Sequence, residues 1–192
     1  MLPTFELSNE HLSWTLVPMT ESHTEAINKV INQNKGFIHE WTPFIKTEMD
    51  ETRTFTRRVA QCHQDFLDGK PYSILNFVIV VNQEEVVGVV GLLRFDHSLK
   101  RAEIGYWIAE KVSGQGVVTM SSKVIMEQVG FKLCRLSTVE LHCVAHHEKS
   151  KGVALRLKPD RFSMSEKPEI ELKQVMYHKM VYEFDNPDLQ SS

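Results

Sequence analysis

"AEIGYWIAEKVSGQGVVTMSSK", residues Ala102 to Lys123, changes character twice along its length. It opens as a strand, crosses a turn holding Gly114 and Gly116, and continues from Val117 with helical spacing. Glycine lets a backbone take unusual dihedrals and come close to a ligand. The first amides of the helix that follows have no intrahelical partner, and the macrodipole adds a partial positive charge there. A phosphate or diphosphate satisfies both, and the hydroxyl of Thr119 offers one more donor.

A G-x-G pattern is by itself weak, and a tight strand-to-helix turn that binds nothing also fits it. A dinucleotide fingerprint needs a third glycine where Thr119 stands, and a βαβ unit around it. A Walker A loop needs G-x-x-x-x-G-K-[ST], which is absent.

Outward from this stretch the periodicity alternates between the two regular structures. Trp14–Met19 reads as a strand ended by Pro18, and Ala26, Ile27, Val30 and Ile31 mark a helix that starts near Thr20. "GFIHEWTPF" is a looser segment broken by Pro43. Glu51–Leu67 reads as a longer helix with Phe55, Val59, Cys62 and Phe66 on one face, stopped by Asp68-Gly69. Ser73–Val81, Glu85–Phe95 and Arg101–Ala109 are strands joined by short polar turns, which predicts an antiparallel meander. Val117–Cys134 reads as one helix whose stripe of Val118, Ile125, Val129 and Leu133 packs on the sheet. Ser137–Ala145 alternates as a strand, Glu148–Leu157 is a short helix stopped by Lys158-Pro159, and Arg161–Phe184 closes the fold with one or two strands. "DNPDLQSS" reads as a frayed end. With no repeat and no linker, residues 1–192 are expected to form a single α/β domain with its core at about 12–184.

"RAEIGYWIAEKVSGQGVVT" resembles the core of the GNAT acyltransferases, in particular the RimJ/RimL-type ribosomal-protein N-acetyltransferase branch. That branch reads A-E-I-G-Y-W-[IL] and, a few residues on, Q-G-K-G-I-x-T. "HEKSKGVALRLKP" is similar to its N-x-x-S-x-x-V-A-x-R-x-G-F helix, with Ser150, Val153, Ala154 and Arg156 in register. "NKGFIHEWTPF" resembles its substrate-side helices, which carry a tryptophan like Trp41. The likeness runs from roughly Leu12 to Val181 and is densest from Arg101 to Leu157.

The resemblance implies a GNAT fold of α+β type: a mixed, mostly antiparallel sheet flanked by helices and splayed between the fourth and fifth strands, here about 101–109 and 137–145. It implies acetyl-CoA as donor, with the pantetheine arm paired to exposed strand backbone in the splay and the diphosphate on the glycine turn. The positions concerned are Tyr106, Trp107, Ile108, Ser113, Gly114, Gln115, Gly116, Val117, Val118, Thr119, His147 and Ser150. Three departures stand out. Ser113 replaces a Gln or Arg, His147 replaces an Asn that contacts the pantetheine arm, and Lys158-Pro159 replaces Gly-Phe.

A protonated amine is no nucleophile, so a base must accept its proton, usually through water. Glu103 is the candidate, on the strand where several GNAT enzymes carry a glutamate base, and apolar flanks would raise its pKa. Pairing with Arg101 or Lys100 on the surface is the alternative. The departing thiolate needs a hydrogen bond. Ser150 matches a serine that the branch places near the sulfur, although a first-turn helix cap is an equal reading. Tyr106 or Tyr177 are alternative donors, and Trp41, with Phe44, and Tyr177 are candidates for the acceptor side.

An α-amine has a reference pKa near 7.7–8.0 against about 10.4 for lysine, so far more of it is neutral at pH 7. A site with one modest base therefore suits a protein N-terminus, of ribosomal-protein type by resemblance. Polyamine or aminoglycoside acetylation and a non-catalytic acyl-CoA-binding role are the competing readings.

A formal net charge of -3 argues against direct nucleic-acid binding. Cys62, Cys134 and Cys143 are odd in number and contain no C-x-x-C, which reads as reduced thiols in a cytoplasmic protein. No signal peptide is expected, and runs such as "FVIVV" are too short to span a bilayer. His142, Cys143, His146 and His147 lie close in sequence. However, His142 and Cys143 point to opposite faces of a strand, so no metal site is expected. A homodimer is carried over from the resemblance alone.

Overall fold

The computed structural model describes residues 1–189. Eight strands form one sheet: β1 (Phe5–Ser8), β2 (Ser13–Pro18), β3 (Ile74–Val81), β4 (Glu85–Asp96), β5 (Arg101–Ile108), β6 (Thr138–Val144), β7 (Arg161–Met164) and β10 (Lys179–Asp185), in the order β1-β2-β3-β4-β5-β6-β10-β7. A separate two-stranded ribbon joins β8 (Ile170–Leu172) to β9 (Val175–Tyr177). Neighbours are antiparallel except β5 and β6, which run parallel. A parallel pair needs a long crossover. It is supplied by the glycine turn, α4 (Val117–Val124) and a π-helical continuation over Ile125–Leu133. The meander expected at the centre is present as β3, β4 and β5, and the described residues form the mixed α/β architecture expected.

The sheet is covered on both faces at its centre, which explains the unbroken apolar run of β3, where Phe77, Val78 and Ile79 are fully buried. On one part of the sheet lie α1 (Thr24–Gln33), the short α2 (Lys35–His39) and α3 (Met49–Leu67). The buried face of α3 differs from the expected stripe. Val59 and Cys62 are buried, but Phe55 is exposed, and Thr52 and Thr56 are buried in its place. The reason is polar pairing with α1: Thr24 and Thr56 hydroxyls lie 2.7 Å apart, and Asn28 Nδ2 donates to Thr52 Oγ1 at 3.0 Å.

Three further expectations are corrected. A strand, β1, precedes the one expected at Trp14–Met19; its four residues alternate between half-buried and exposed and pair with β2 in register Phe5–Leu16 to Ser8–Ser13. The helix after the glycine turn is not uniform. The π-helical stretch shifts the register, so Ile125 and Val129 stay buried while Leu133 turns outward. The chain end is held as far as it is described: Asp185 belongs to β10, and Asn186 Nδ2 donates to Leu136 O at 2.9 Å. Residues 190–192 of the expected frayed end lie outside the described residues.

Candidate active site

β5 and β6 stay in register over only three pairs, Arg101–Thr138, Ala102–Val139 and Glu103–Glu140. Beyond Glu103 they part. The C-terminal half of β5 is then paired on its β4 side alone, where Gly88–Ile108 to Leu93–Glu103 remain in register. The opening is continuous with a cleft of about 800 Å³.

The glycine turn forms one wall. Gly114 and Gly116 have φ of +81° and +79°, the left-handed region that favours glycine. Gly116 is the N-cap of α4 in that conformation, and no side chain caps the helix. Asn9, in the β1–β2 connection, steadies the turn from behind by donating Nδ2 to Gln115 O at 2.8 Å. Deeper, Trp14 Nε1 donates to the fully buried Ser121 Oγ at 3.0 Å and anchors α4 against β2.

The opposite wall is the first turns of α5 (Glu148–Leu157). Ser150 is not a cap. It lies in the first turn, is buried, and its Oγ lies 2.8 Å from the Tyr106 hydroxyl across the splay. Burial pushes the Tyr106 phenol well above its ordinary value, so it stays protonated and available as a donor. Cys143 lies beside the pair, and burial raises its thiol to about 11. α2 and the residues after it, Phe37 to Thr42, also border the cleft. Trp41 stacks on His147 with centroids 4.4 Å apart, and Lys149 Nζ lies 4.4 Å from the centre of the Phe37 ring.

Of the positions singled out from sequence, Tyr106, Trp107, Ile108, Ser113, Gly114, Gly116, Val117, Val118, Thr119, His147, Ser150 and Trp41 line this cleft. Gln115 does not line it; its backbone carbonyl faces Asn9 and its side chain donates to Lys111 O. Tyr177 also lies outside the lining, edge-on to His146. Lining residues that sequence reasoning left without a role include Phe37, Glu40, Thr42, Lys149, Gly152 and Arg156.

Glu103 stands at the point where the strands part, outside the lining residues. A bulge in β4 puts Arg94 at φ +53° and sends its Nη1 to Glu103 Oε2 at 2.7 Å. His142 lies between two carboxylates: Nδ1 is 3.0 Å from Glu103 Oε2, and Nε2 is 2.8 Å from Glu140 Oε2. Arg101 completes the row by donating to Glu140 Oε1 at 3.0 Å. The expectation of a raised Glu103 pKa is overturned. Burial does push the carboxyl up, but the hydrogen bond and charge of His142, with Arg94, outweigh it and leave it below its ordinary value. Burial lowers the His142 imidazole, and Glu103 and Glu140 more than reverse this, so it is raised. Among the described residues no three or more His, Cys, Asp or Glu side chains are grouped to hold a metal ion, and no helix is long and apolar enough to cross a membrane.

The chain is similar to the ribosomal-protein-serine acetyltransferase of Escherichia coli (strain K12), at 26% identity over 147 residues, covering 75% of this chain and 77% of that protein. It shares its fold with RimL, a ribosomal L7/L12 alpha-N-protein acetyltransferase solved in complex with coenzyme A. That likeness has a TM-score of 0.77 at 22% identity and covers 94% of this chain and 98% of RimL. It also superimposes on the microcin C7 self-immunity acetyltransferase MccE, solved with acetyl-CoA and AMP, with a TM-score of 0.72 at 25% identity over 90% of this chain and 92% of MccE. Residues 14–158, which hold the glycine turn, both walls of the cleft and the splay, match the family model of the acetyltransferase (GNAT) domain, and the chain belongs to the GNAT acetyltransferase family.

Proposed function

We propose that the protein transfers the acetyl group of acetyl-CoA to a protein N-terminal α-amine, of the kind its ribosomal-protein acetyltransferase relatives modify. The observation that carries this reading is the continuity of one cleft from the left-handed glycines 114 and 116 to Tyr106, Trp107 and Ile108, in the half of β5 that β6 leaves unpaired. The diphosphate occupies the amide-lined end, the pantetheine arm follows the unpaired backbone of β5, and the thioester lies near Ser150. RimL and MccE, solved with coenzyme A and acetyl-CoA, support the donor.

The amine attacks the thioester carbonyl, and nitrogen becomes positively charged as the tetrahedral intermediate forms. That ammonium is far more acidic than a free one, so a carboxylate of ordinary or lowered pKa is base enough. Glu103, held ionised by His142 and Arg94, accepts the proton through water. Collapse expels the thiolate. Ser150 donates to the sulfur while Tyr106 donates to Ser150, a relay consistent with their 2.8 Å separation.

The charge of the cleft bears on the acceptor. Its permanently charged lining residues are two carboxylates, Glu40 and Glu148, and two cations, Lys149 and Arg156. A polyamine or aminoglycoside calls for a clear acidic excess, and none is present there. A single α-amine, partly neutral at pH 7, needs none.

The test is acetyl-CoA turnover with N-terminal peptides, polyamines and aminoglycosides as acceptors. Peptides with small N-terminal residues are expected to be the substrates. Glu103→Gln is expected to lower kcat more than about tenfold with coenzyme affinity unchanged. Turnover restricted to polyamines overturns the acceptor, and coenzyme binding without turnover on any amine overturns the enzymatic reading.

A further inference from the structure

α5 carries a glycine where a helix tolerates one poorly. Gly152 lies in the interior of Glu148–Leu157, where glycine costs about 1 kcal/mol relative to alanine. Its surroundings explain its presence. A Cβ built on Gly152 would lie 3.2 Å from Arg156 Nη1, and 3.8 Å from both Cζ and Nη2. Helical side chains lean back over the preceding turn, so residue 156 falls naturally on residue 152. The Arg156 guanidinium packs against the space that a side chain at 152 would fill, and its Nε donates to Thr119 Oγ1 at 3.3 Å, on the first turn of α4.

This guanidinium is free to serve a ligand. Arg156 forms no ion pair among the described residues, and Gly152, Arg156 and Thr119 all line the cleft. Lys149, the other permanently charged cation of the lining, is occupied over Phe37. The turn itself brings no cation, because Ser113 stands where the resembling branch has Gln or Arg. Guanidinium is the group best suited to grip phosphate oxygens two at a time.

We infer that Arg156, packed against Gly152, is the diphosphate-gripping cation of the cleft, supplied from α5 where the glycine turn brings none. The inference rests on the coenzyme reading above, and it specifies which part of the coenzyme the residue serves. The interior glycine is thus a feature of the binding site: it gives the guanidinium the room to reach Thr119.

Three ligands separate the possibilities: coenzyme A, dephospho-coenzyme A, which lacks the 3′-phosphate, and pantetheine, which lacks every phosphate. Arg156→Met is expected to weaken coenzyme A and dephospho-coenzyme A by the same factor, about tenfold or more, and to leave pantetheine unchanged. Arg156→Lys, which keeps the charge without the fork, should recover part of the loss. Gly152→Ala should weaken both nucleotides several-fold, and adding it to Arg156→Met should cost no further affinity. Equal melting temperatures of the unliganded variants exclude a folding defect as the cause. Weakening confined to coenzyme A overturns the assignment in favour of the 3′-phosphate. Unchanged affinity of Arg156→Met overturns it outright while leaving the coenzyme reading intact, whereas a wild-type protein that binds no coenzyme sinks both.

Discussion

Trp41 lies flat on His147, the ring planes 5° from parallel and the centroids 4.4 Å apart. The contact ties the segment after α2 to the first residue before α5, across the mouth of the cleft. Burial holds the imidazole at about 4, so the stack is between neutral rings at physiological pH. A pair of this kind contributes about 0.5–1.5 kcal/mol beyond buried area. A double-mutant cycle of Trp41→Ala and His147→Ala, measured by urea unfolding at pH 7.5, is expected to give a coupling of about 1 kcal/mol. The sign with pH follows from the lowered value. The unfolded imidazole takes a proton first, so the stability carried by neutral His147 is complete above its ordinary value and is lost as pH falls toward 4. A coupling indistinguishable from zero would show that the two rings merely share a surface.

His142 answers to pH in the opposite sense. Its two carboxylate partners raise it above its ordinary value, so its contribution is full below that value and disappears as pH rises through the raised one. Glu103 is lowered, so its share is present above the ordinary carboxylate range and is lost as pH falls through its folded value. The stability difference between wild type and His142→Gln is therefore expected to be greatest between the two, around pH 5–6, and to shrink toward pH 9. A difference that grows with pH would contradict a charged imidazole at this position.

Trp14 and Ser121 form a hydrogen bond with both residues buried. Trp14→Phe leaves the serine hydroxyl without a partner and is expected to cost about 1–3 kcal/mol for that group alone, with further loss from the smaller ring. Ser121→Ala introduced on top should recover part of the first loss, because it removes the orphaned group. Thermal unfolding of the two single variants and the double variant reads this directly, and strict additivity would rule the bond out as the cause.

Lys158 ends α5 with φ +59°, the conformation in which glycine is the usual residue. An L residue pays about 1–2 kcal/mol there, and glycine in turn loosens the unfolded chain. Lys158→Gly is expected to gain about 0.5–1 kcal/mol, or about 1–4 °C in melting temperature, with catalytic rate unchanged. A fall in melting temperature would mean that the lysine side chain holds the following loop.

This last position shows what the letters of the sequence carried. Where the resembling family has glycine, this chain has lysine, and the backbone there is left-handed all the same. The meander, the turn of Gly114 and Gly116, and the α5 wall with Ser150 were legible because each depends on local periodicity or on one contiguous motif. Glu103 was legible as a position but not in its electrostatics. Its partners come from β4 and β6, and a bulge aims one of them. Arg156 was in register from the start, yet its purpose emerges only when Gly152 beneath it and Thr119 opposite it are seen together. The exposed Phe55 and Leu133 mark the limit of a helical-stripe argument, since hydroxyl pairing in one case and a widened helix in the other move the buried face.

The sheet is in effect two rafts, β1 to β5 and β6, β10, β7, stitched by a seam only three residues long at Arg101–Glu103. Such a seam acts as a hinge pin at one end of a long rift. Opening the free end strains few bonds, so the rift can breathe without unfolding either raft. Amide protons of residues 104–108 that face the rift should exchange with solvent far sooner than those of β3, and slow down once a ligand bridges the two rafts.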